Sequence, residues 1–275
     1  IMDNRPIGVF DSGLGGLTVV KEIMKLLPNE SIIYFGDDGR TPYGTKSRET
    51  VIKYTRQDLA FLLSMDVKLV VVACNTVSAV ALPEVRSSVK VPVLEVIEPG
   101  ARSALKKTKK GRIGVIATPA TTSSGVYPKA IKSMNPNVQI FSQACPLFVN
   151  LVEEGWWDNR ITRMIAEEYL KDLKQAKIDT LVLGCTHYPL LADVIRDVMG
   201  DEVALVSSAE ELSITLKELL YKEKLESADG EAAYRFYTSD SVEKFRKLGK
   251  MILGKEITDI ERVDMENYDQ ITCKL

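Results

Sequence analysis

Apolar and polar positions along the chain alternate between two rhythms. Short, near-continuous apolar runs rich in β-branched residues cover 7–10, 31–35, 67–73, 91–96, 113–117, 138–141, 180–184 and 202–206. Runs such as Leu69-Val70-Val71-Val72-Ala73 show no polar alternation, which fits strands of a parallel sheet covered on both faces. Between these runs apolar residues recur at helical spacing. Leu17, Val20, Ile23, Met24 and Leu27 line one face, and Pro28 stops that segment. Residues 48–65 and 160–176 carry the same pattern. A helix starting near Asn75 breaks ahead of Pro83, because the residue before a proline is pushed out of helical geometry, and a new helix begins at Pro83. Past Ser208 a helical stretch runs to about Lys222, a polar loop covers 226–231, and residues 234–264 read as strand, helix, strand. Strands alternating with helices predict an α/β fold with parallel sheets.

The pattern also repeats. Ile7-Gly8-Val9 opens the chain, and Ile113-Gly114-Val115 opens a second unit. Val70-Val71-Val72-Ala73-Cys74-Asn75-Thr76 has its counterpart in Leu181-Val182-Leu183-Gly184-Cys185-Thr186-His187. Two landmarks in the same order, with a cysteine at matching strand ends, predict a duplicated unit.

Composition narrows the function. The chain has 275 residues, 45% hydrophobic and 27% charged, the balance of a soluble globular protein of one large or two small domains. Lys plus Arg number 36 against 38 Asp plus Glu, so the formal charge of −2 offers no basic excess for nucleic acid. No apolar run approaches the roughly 20 residues that span a bilayer. The opening Ile1-Met2-Asp3-Asn4-Arg5 lacks the apolar core of a signal peptide. Four cysteines (Cys74, Cys145, Cys185, Cys273) show no C-x-x-C spacing, which speaks against a zinc ribbon or thioredoxin-type motif. Reduced thiols in a cytoplasm are the expectation. The one histidine is His187, so any histidine chemistry must use it.

Three segments carry candidate chemistry. Asp11-Ser12-Gly13-Leu14-Gly15-Gly16-Leu17-Thr18 sits where a nucleotide-binding loop would, but Thr18 replaces the last glycine of the dinucleotide fingerprint. Asp11 and Ser12 are then expected to line a pocket at the strand end, with the glycines making a tight turn. Gly39 through Ser47 nearly forms a P-loop, yet Thr45 stands where its lysine belongs and Lys46 comes one place late, so nucleoside triphosphate binding is rejected. Arg40-Thr41-Pro42-Tyr43-Gly44 reads as an ordered loop or as an ordinary surface turn. Cys74 and Cys185 are the strongest feature. Open α/β sheets bind ligands beyond the carboxyl ends of their strands, and a helix starting behind each cysteine should favour its thiolate. Buried structural cysteines are the alternative. Three chemistries remain open: a zinc site with Cys185 and His187, a Cys185 nucleophile with His187 as base, and proton transfer by two thiols acting on opposite faces of a carbon acid. Only the last uses both cysteines symmetrically.

These motifs resemble bacterial glutamate racemases of the aspartate/glutamate racemase family. The resemblance runs through the Asp11–Thr18 loop, Tyr34-Phe35-Gly36-Asp37, Arg40-Thr41-Pro42-Tyr43-Gly44, Ala73-Cys74-Asn75-Thr76, Glu98-Pro99-Gly100, Ala117-Thr118-Pro119-Ala120-Thr121, Cys145-Pro146-Leu147, Leu151-Val152-Glu153-Glu154-Gly155 and Gly184-Cys185-Thr186-His187-Tyr188-Pro189-Leu190-Leu191. It covers about residues 5–210, and the tail after about 225 carries little of it. Asn150 stands where proline is commoner. The resemblance implies two pseudo-symmetric α/β domains with mainly parallel sheets facing each other across a cleft. Residues 1–97 plus 208–275 would form the first and 98–207 the second. It implies racemisation of glutamate without cofactor or metal, for peptidoglycan, with aspartate racemisation or non-catalytic amino-acid binding as alternatives. Cys185 would take the α-proton of L-glutamate and Cys74 would deliver one to the other face. Asp11 would assist Cys74, and Glu153 and His187 would assist Cys185. Asp11, Ser12, Tyr43, Gly44, Asn75, Thr76, Thr118, Thr121, Thr186 and His187 would hold the substrate. The family further implies a cytoplasmic homodimer. Cys145 and Cys273 are expected to be structural. Trp156-Trp157 reads as an interface helix start or as ordinary partial burial.

Overall fold

A computed structural model describes residues 2–228 and 230–268. Ten strands follow one another along the chain. They are β1 (Ile7–Asp11), β2 (Ile32–Gly36), β3 (Leu69–Val72), β4 (Val93–Glu95), β5 (Arg112–Ala117), β6 (Gln139–Ala144), β7 (Thr180–Gly184), β8 (Ala204–Val206), β9 (Tyr234–Thr238) and β10 (Ile260–Arg262). They form two sheets, ordered β10-β9-β2-β1-β3-β4 and β6-β5-β7-β8. Every strand pairing among the described residues is parallel. The order β2-β1-β3-β4 is reproduced by β6-β5-β7-β8, so the sequence repeat is a repeat of topology. Only the first sheet is extended, by β9 and β10 on the β2 side.

The apolar runs are explained by burial on both faces. Successive side chains of a strand point to opposite sides. In the first sheet Val9 and Val71 enter one core, and Phe10, Val70 and Val72 enter another beneath helix Arg48–Ser64. In the second sheet Val115 and Val182 join the same core as Val9, while Ile116, Leu181 and Leu183 pack on the far side. The shared core is built around helices Ile97–Lys107 and Ala209–Glu223, which contribute Ala101, Ala104, Leu212 and Leu216.

The register fixes where chemistry can sit. Ile7 pairs with Leu69 in the first sheet, and Ile113 with Thr180 in the second. The equivalent positions Cys74 and Cys185 therefore emerge beyond the ends of central strands, beside the point where the strand order reverses. Helix Asn75–Val80 starts directly behind Cys74 as expected. Behind Cys185 the chain differs. Tyr188 N–H closes onto Cys185 O at 3.1 Å and Leu190 N–H onto His187 O at 3.1 Å, giving a 3-10 turn over Tyr188–Leu191. The α-helix waits until Ala192–Met199. Pro189 suits such a first turn, and the tight coil buries Tyr188 and Leu191. Among the described residues no helix is long and apolar enough to cross a membrane.

Candidate active site

Asp11 ends β1 and is wholly buried. Its carboxylate accepts from the N–H of Gly16 at 2.9 Å and of Gly13 at 3.3 Å, so the glycine loop curls around it. Thr186 Oγ1, from the second half, lies 3.2 Å from both carboxylate oxygens. Tyr34 pins the loop from below, its hydroxyl donating to Gly13 O at 2.6 Å. The glycines do more than turn the chain. A Cβ on Gly15 would stand 2.5 Å from His187 Nδ1, and one on Gly13 would stand 2.7 Å from Glu153 Oε1. Only a residue without Cβ lets the loop press this closely on the second half.

The two thiols have different neighbours. Cys74 is 5% exposed, and its thiol donates to Ser12 Oγ at 3.6 Å. Cys185 is 7% exposed and lies 3.7 Å from His187 Nδ1. His187 Nε2 is 2.7 Å from Glu153 Oε1, which also accepts from Leu14 N–H at 3.3 Å. Glu153, His187 and Cys185 thus form a continuous hydrogen-bonded row. Cys145, the buried thiol at the end of β6, lies 3.9 Å from Gln143 O, and its own carbonyl accepts the Tyr188 hydroxyl at 2.9 Å. Cys273 lies outside the described residues.

Hydroxyls close the space between the halves. Thr76 Oγ1, behind Cys74, is 2.9 Å from Thr118 Oγ1, which caps helix Pro119–Ser124 by accepting Thr121 N–H at 3.3 Å. Thr121 Oγ1 completes the trio, 3.2 Å from Thr118 Oγ1 and 3.5 Å from Thr76 Oγ1. Gly44 lies against the same threonine: its Cβ would fall 2.2 Å from Thr118 Cβ. Asn75 accepts the hydroxyl of Tyr127. Tyr43 spends its hydroxyl on Asp37 and on Asp58 at 2.9 Å, a pair also held by Arg40 at 2.6 and 3.1 Å. The Tyr43 side chain is therefore tied down beneath the loop.

Electrostatics divides the site. Burial, reinforced by the Asp11 charge, pushes the Cys74 thiol well above its ordinary pKa, in spite of the helix behind it. The sequence expectation of a helix-favoured thiolate at Cys74 is thus outweighed by desolvation. Burial opposes charge on His187, but its hydrogen bonds to Cys185 and Glu153 prevail and hold its pKa well above the usual value. Burial works to raise Glu153, but the His187 hydrogen bond and charge, the Lys244 charge and the Leu14 N–H together outweigh it, so this carboxyl is lowered. Asp11 is raised by burial, with His187 opposing. One side thus presents a protonated thiol, and the other a thiol beside an imidazolium.

Sequence reasoning named most of these groups but missed three. Tyr34 falls in an apolar strand run and a quoted motif without being assigned a role, and Tyr127 stands in no motif. Lys244, whose Nζ lies 3.7 Å from Glu153 Oε2, comes from helix Val242–Leu253 in the tail that showed no motif. Trp157 is half-buried, with its indole N–H on Val152 O at 3.0 Å, and Trp156 is 45% exposed.

A parallel α/β chain with this site falls into a known class. Residues 7–212 match the Asp/Glu/Hydantoin racemase family, and the chain belongs to it. Within that class its relatives are glutamate racemases. The glutamate racemase of Geobacter metallireducens is 50% identical over 263 residues, covering 95% of this chain and 97% of the relative. The crystal structure of the Francisella tularensis glutamate racemase in complex with D-glutamate superposes with a TM-score of 0.89 at 44% identity, over 97% of this chain and 100% of that one. A Bacillus anthracis glutamate racemase isoform gives 0.91 at 41% identity, over 95% and 98%.

Proposed function

We propose that the protein is a glutamate racemase that interconverts L- and D-glutamate at two facing thiols and supplies D-glutamate for peptidoglycan. The observation that carries this reading is the placement of Cys74 and Cys185 beyond equivalent central strands, each with its own hydrogen-bond partner, Ser12 and His187. Near-full-length similarity to glutamate racemases supports the substrate. Cys185, as thiolate, takes the α-proton of L-glutamate. The electron pair stays on the α-carbon, and Cys74, as thiol, gives a proton to the opposite face. The roles exchange for D-glutamate. His187, held by Glu153 and charged, lies beside the Cys185 sulfur and stabilises it as a thiolate. Asp11 assists Cys74 and orders the loop.

An α-proton beside a carboxylate is a very weak acid, so the carbanion needs stabilisation. Ser12, Asn75, Thr76, Thr118, Thr121 and Thr186 offer donors inside a space shielded from water, where such dipoles count most. Backbone at Tyr43-Gly44 and the Thr186-His187 segment complete the binding set. In this reading the sheets are two domains, 1–97 plus 208–275 and 98–207, closing on the amino acid. The chemistry asks for no cofactor, and the chain works as a cytoplasmic homodimer.

The protein alone in D2O should introduce deuterium at the α-carbon of both glutamate enantiomers. Cys74→Ala and Cys185→Ala should each lower racemisation by at least the 10²–10⁴-fold typical of a lost acid–base group. Full activity in either variant would refute the two-thiol mechanism. Faster turnover of L-aspartate would move the substrate, and tight glutamate binding without exchange would make this a binding protein.

A further inference from the structure

Helix Val242–Leu253 lies beyond the residues that match the family, yet it reaches the partner of the second thiol. Lys244 Nζ stands 3.7 Å from Glu153 Oε2. The other oxygen, Oε1, is occupied by His187 Nε2 at 2.7 Å and by Leu14 N–H at 3.3 Å. Oε2 is buried and accepts no hydrogen bond from the described residues. Glu153 itself is 5% exposed, whereas the Lys244 side chain is 43% exposed. The ammonium is therefore the water-facing end of a row that runs from Lys244 through Glu153 and His187 to Cys185.

The helix is anchored so that this end holds still. Ser241 Oγ caps it, accepting Lys244 N–H at 3.2 Å. Thr238 and Ser239, at the preceding strand end, donate to Asp38 at 2.6 Å and Asp37 at 2.7 Å. Phe245 packs on Tyr34, whose hydroxyl holds the glycine loop. Leu248, one turn on from Lys244, faces Gly155, two residues past Glu153. Both partners of the ion pair are thus set on elements that contact each other.

We propose that Lys244 is a positioning residue for the Cys185 half-reaction: its ammonium fixes the Glu153 carboxylate so that Oε1 stays on His187 and the imidazole stays on the thiol. This rests on the two-thiol reading above. The effect belongs to one face, because Cys74 has separate partners in Ser12 and Asp11. An ion pair with no part in the chemistry would leave the proton-transfer steps unchanged.

The test compares Lys244→Met, Lys244→Arg and, as a control on the same helix, Lys247→Met. Racemisation is measured in both directions with α-protonated and α-deuterated glutamate. Since the enantiomers have equal free energy, kcat/KM must fall equally in the two directions. The isotope effects need not follow. Lys244→Met should lower kcat/KM about tenfold, short of the roughly 10²-fold that a 1 Å misplacement of a reacting group costs. The primary isotope effect should rise with α-deuterated L-glutamate, whose deuteron goes to Cys185, and fall with the D-enantiomer. Lys244→Arg should restore the rate to within about twofold, as either cation satisfies the carboxylate, and Lys247→Met should match the unmutated protein.

The acid limb of the pH profile should also move upward in Lys244→Met, since losing a nearby cation raises a carboxyl pKa. The groups acting on Glu153 are His187, Lys244 and the Leu14 N–H, with the Asp38 and Asp11 carboxyls and the Tyr34 phenol interacting with its charge through space. Isotope effects that stay unchanged or move together, or a Lys244→Met rate within twofold of normal, would overturn the role of Lys244. Absence of α-proton exchange in the unmutated protein would instead overturn the racemase reading itself.

Discussion

Asp38 shows how much charge the floor of this site carries. Its Oδ2 accepts the Thr238 hydroxyl at 2.6 Å, while its buried Oδ1 accepts nothing from the described residues. Burial, and then the Glu153 charge, raise its pKa well above the usual 3.8. Below about pH 4 the group is protonated in both folded and unfolded chains, so it costs nothing. As pH rises, the unfolded chain releases its proton first, and stability is lost until the raised folded pKa is passed. Asp38→Asn keeps an acceptor for Thr238 and removes this linkage. The variant should melt a few degrees above the parent at neutral pH, given roughly 2–4 °C per kcal/mol for a chain of this size. That gain should vanish as pH falls toward 4. A melting difference constant from pH 4 to 8 would show that the carboxyl does not titrate abnormally.

Between elements, the tightest glycine contact is where Gly44, in the 3-10 turn Tyr43–Thr45, meets Thr118 at the cap of helix Pro119–Ser124. A methyl group on Gly44 would strike Thr118 Cβ, an atom fixed to the backbone that cannot rotate aside. Gly44→Ala should push turn and helix apart, at about 1–3 kcal/mol of strain, and break the Thr76–Thr118 contact. Steady-state kinetics should show activity falling about 10–100-fold, while melting moves by only a few degrees; unchanged kinetics would mean that this contact has no part in closure. The position also shows what a sequence makes legible. Strands announced themselves because burial on two faces demands continuous apolar residues, and the repeat was visible because both copies kept it. Gly44 could be seen as a turn residue, but its partner lies far along the chain, and no local pattern records a distant contact. The helix expected behind Cys185 failed for a related reason. His187, Tyr188 and Pro189 tighten the turn there, and Asn75 and Thr76 behind Cys74 do not. Lys244 carried no signal at all, since a lysine on a helix looks like any solvated charge.

For the whole molecule, the contacts between halves differ in kind from one side to the other. Helices Ile97–Lys107 and Ala209–Glu223 join both sheets through one apolar core. Around the thiols the halves meet through hydroxyls and carboxylates, at Thr76–Thr118 and Asp11–Thr186. Apolar surface resists exposure to water, whereas polar contacts exchange readily for water. The joint therefore lies at the core, and the mouth at the polar side. Because both thiols are only 5–7% exposed, a covalent reagent becomes a stopwatch for the mouth. Iodoacetamide should label Cys74 and Cys185, read site by site by mass spectrometry, at a rate that levels off at high reagent. That ceiling is the frequency of opening, the same motion that must admit each substrate and release each product. A labelling rate that climbs without limit, as for a thiol in water, would mean that the resting enzyme already stands ajar.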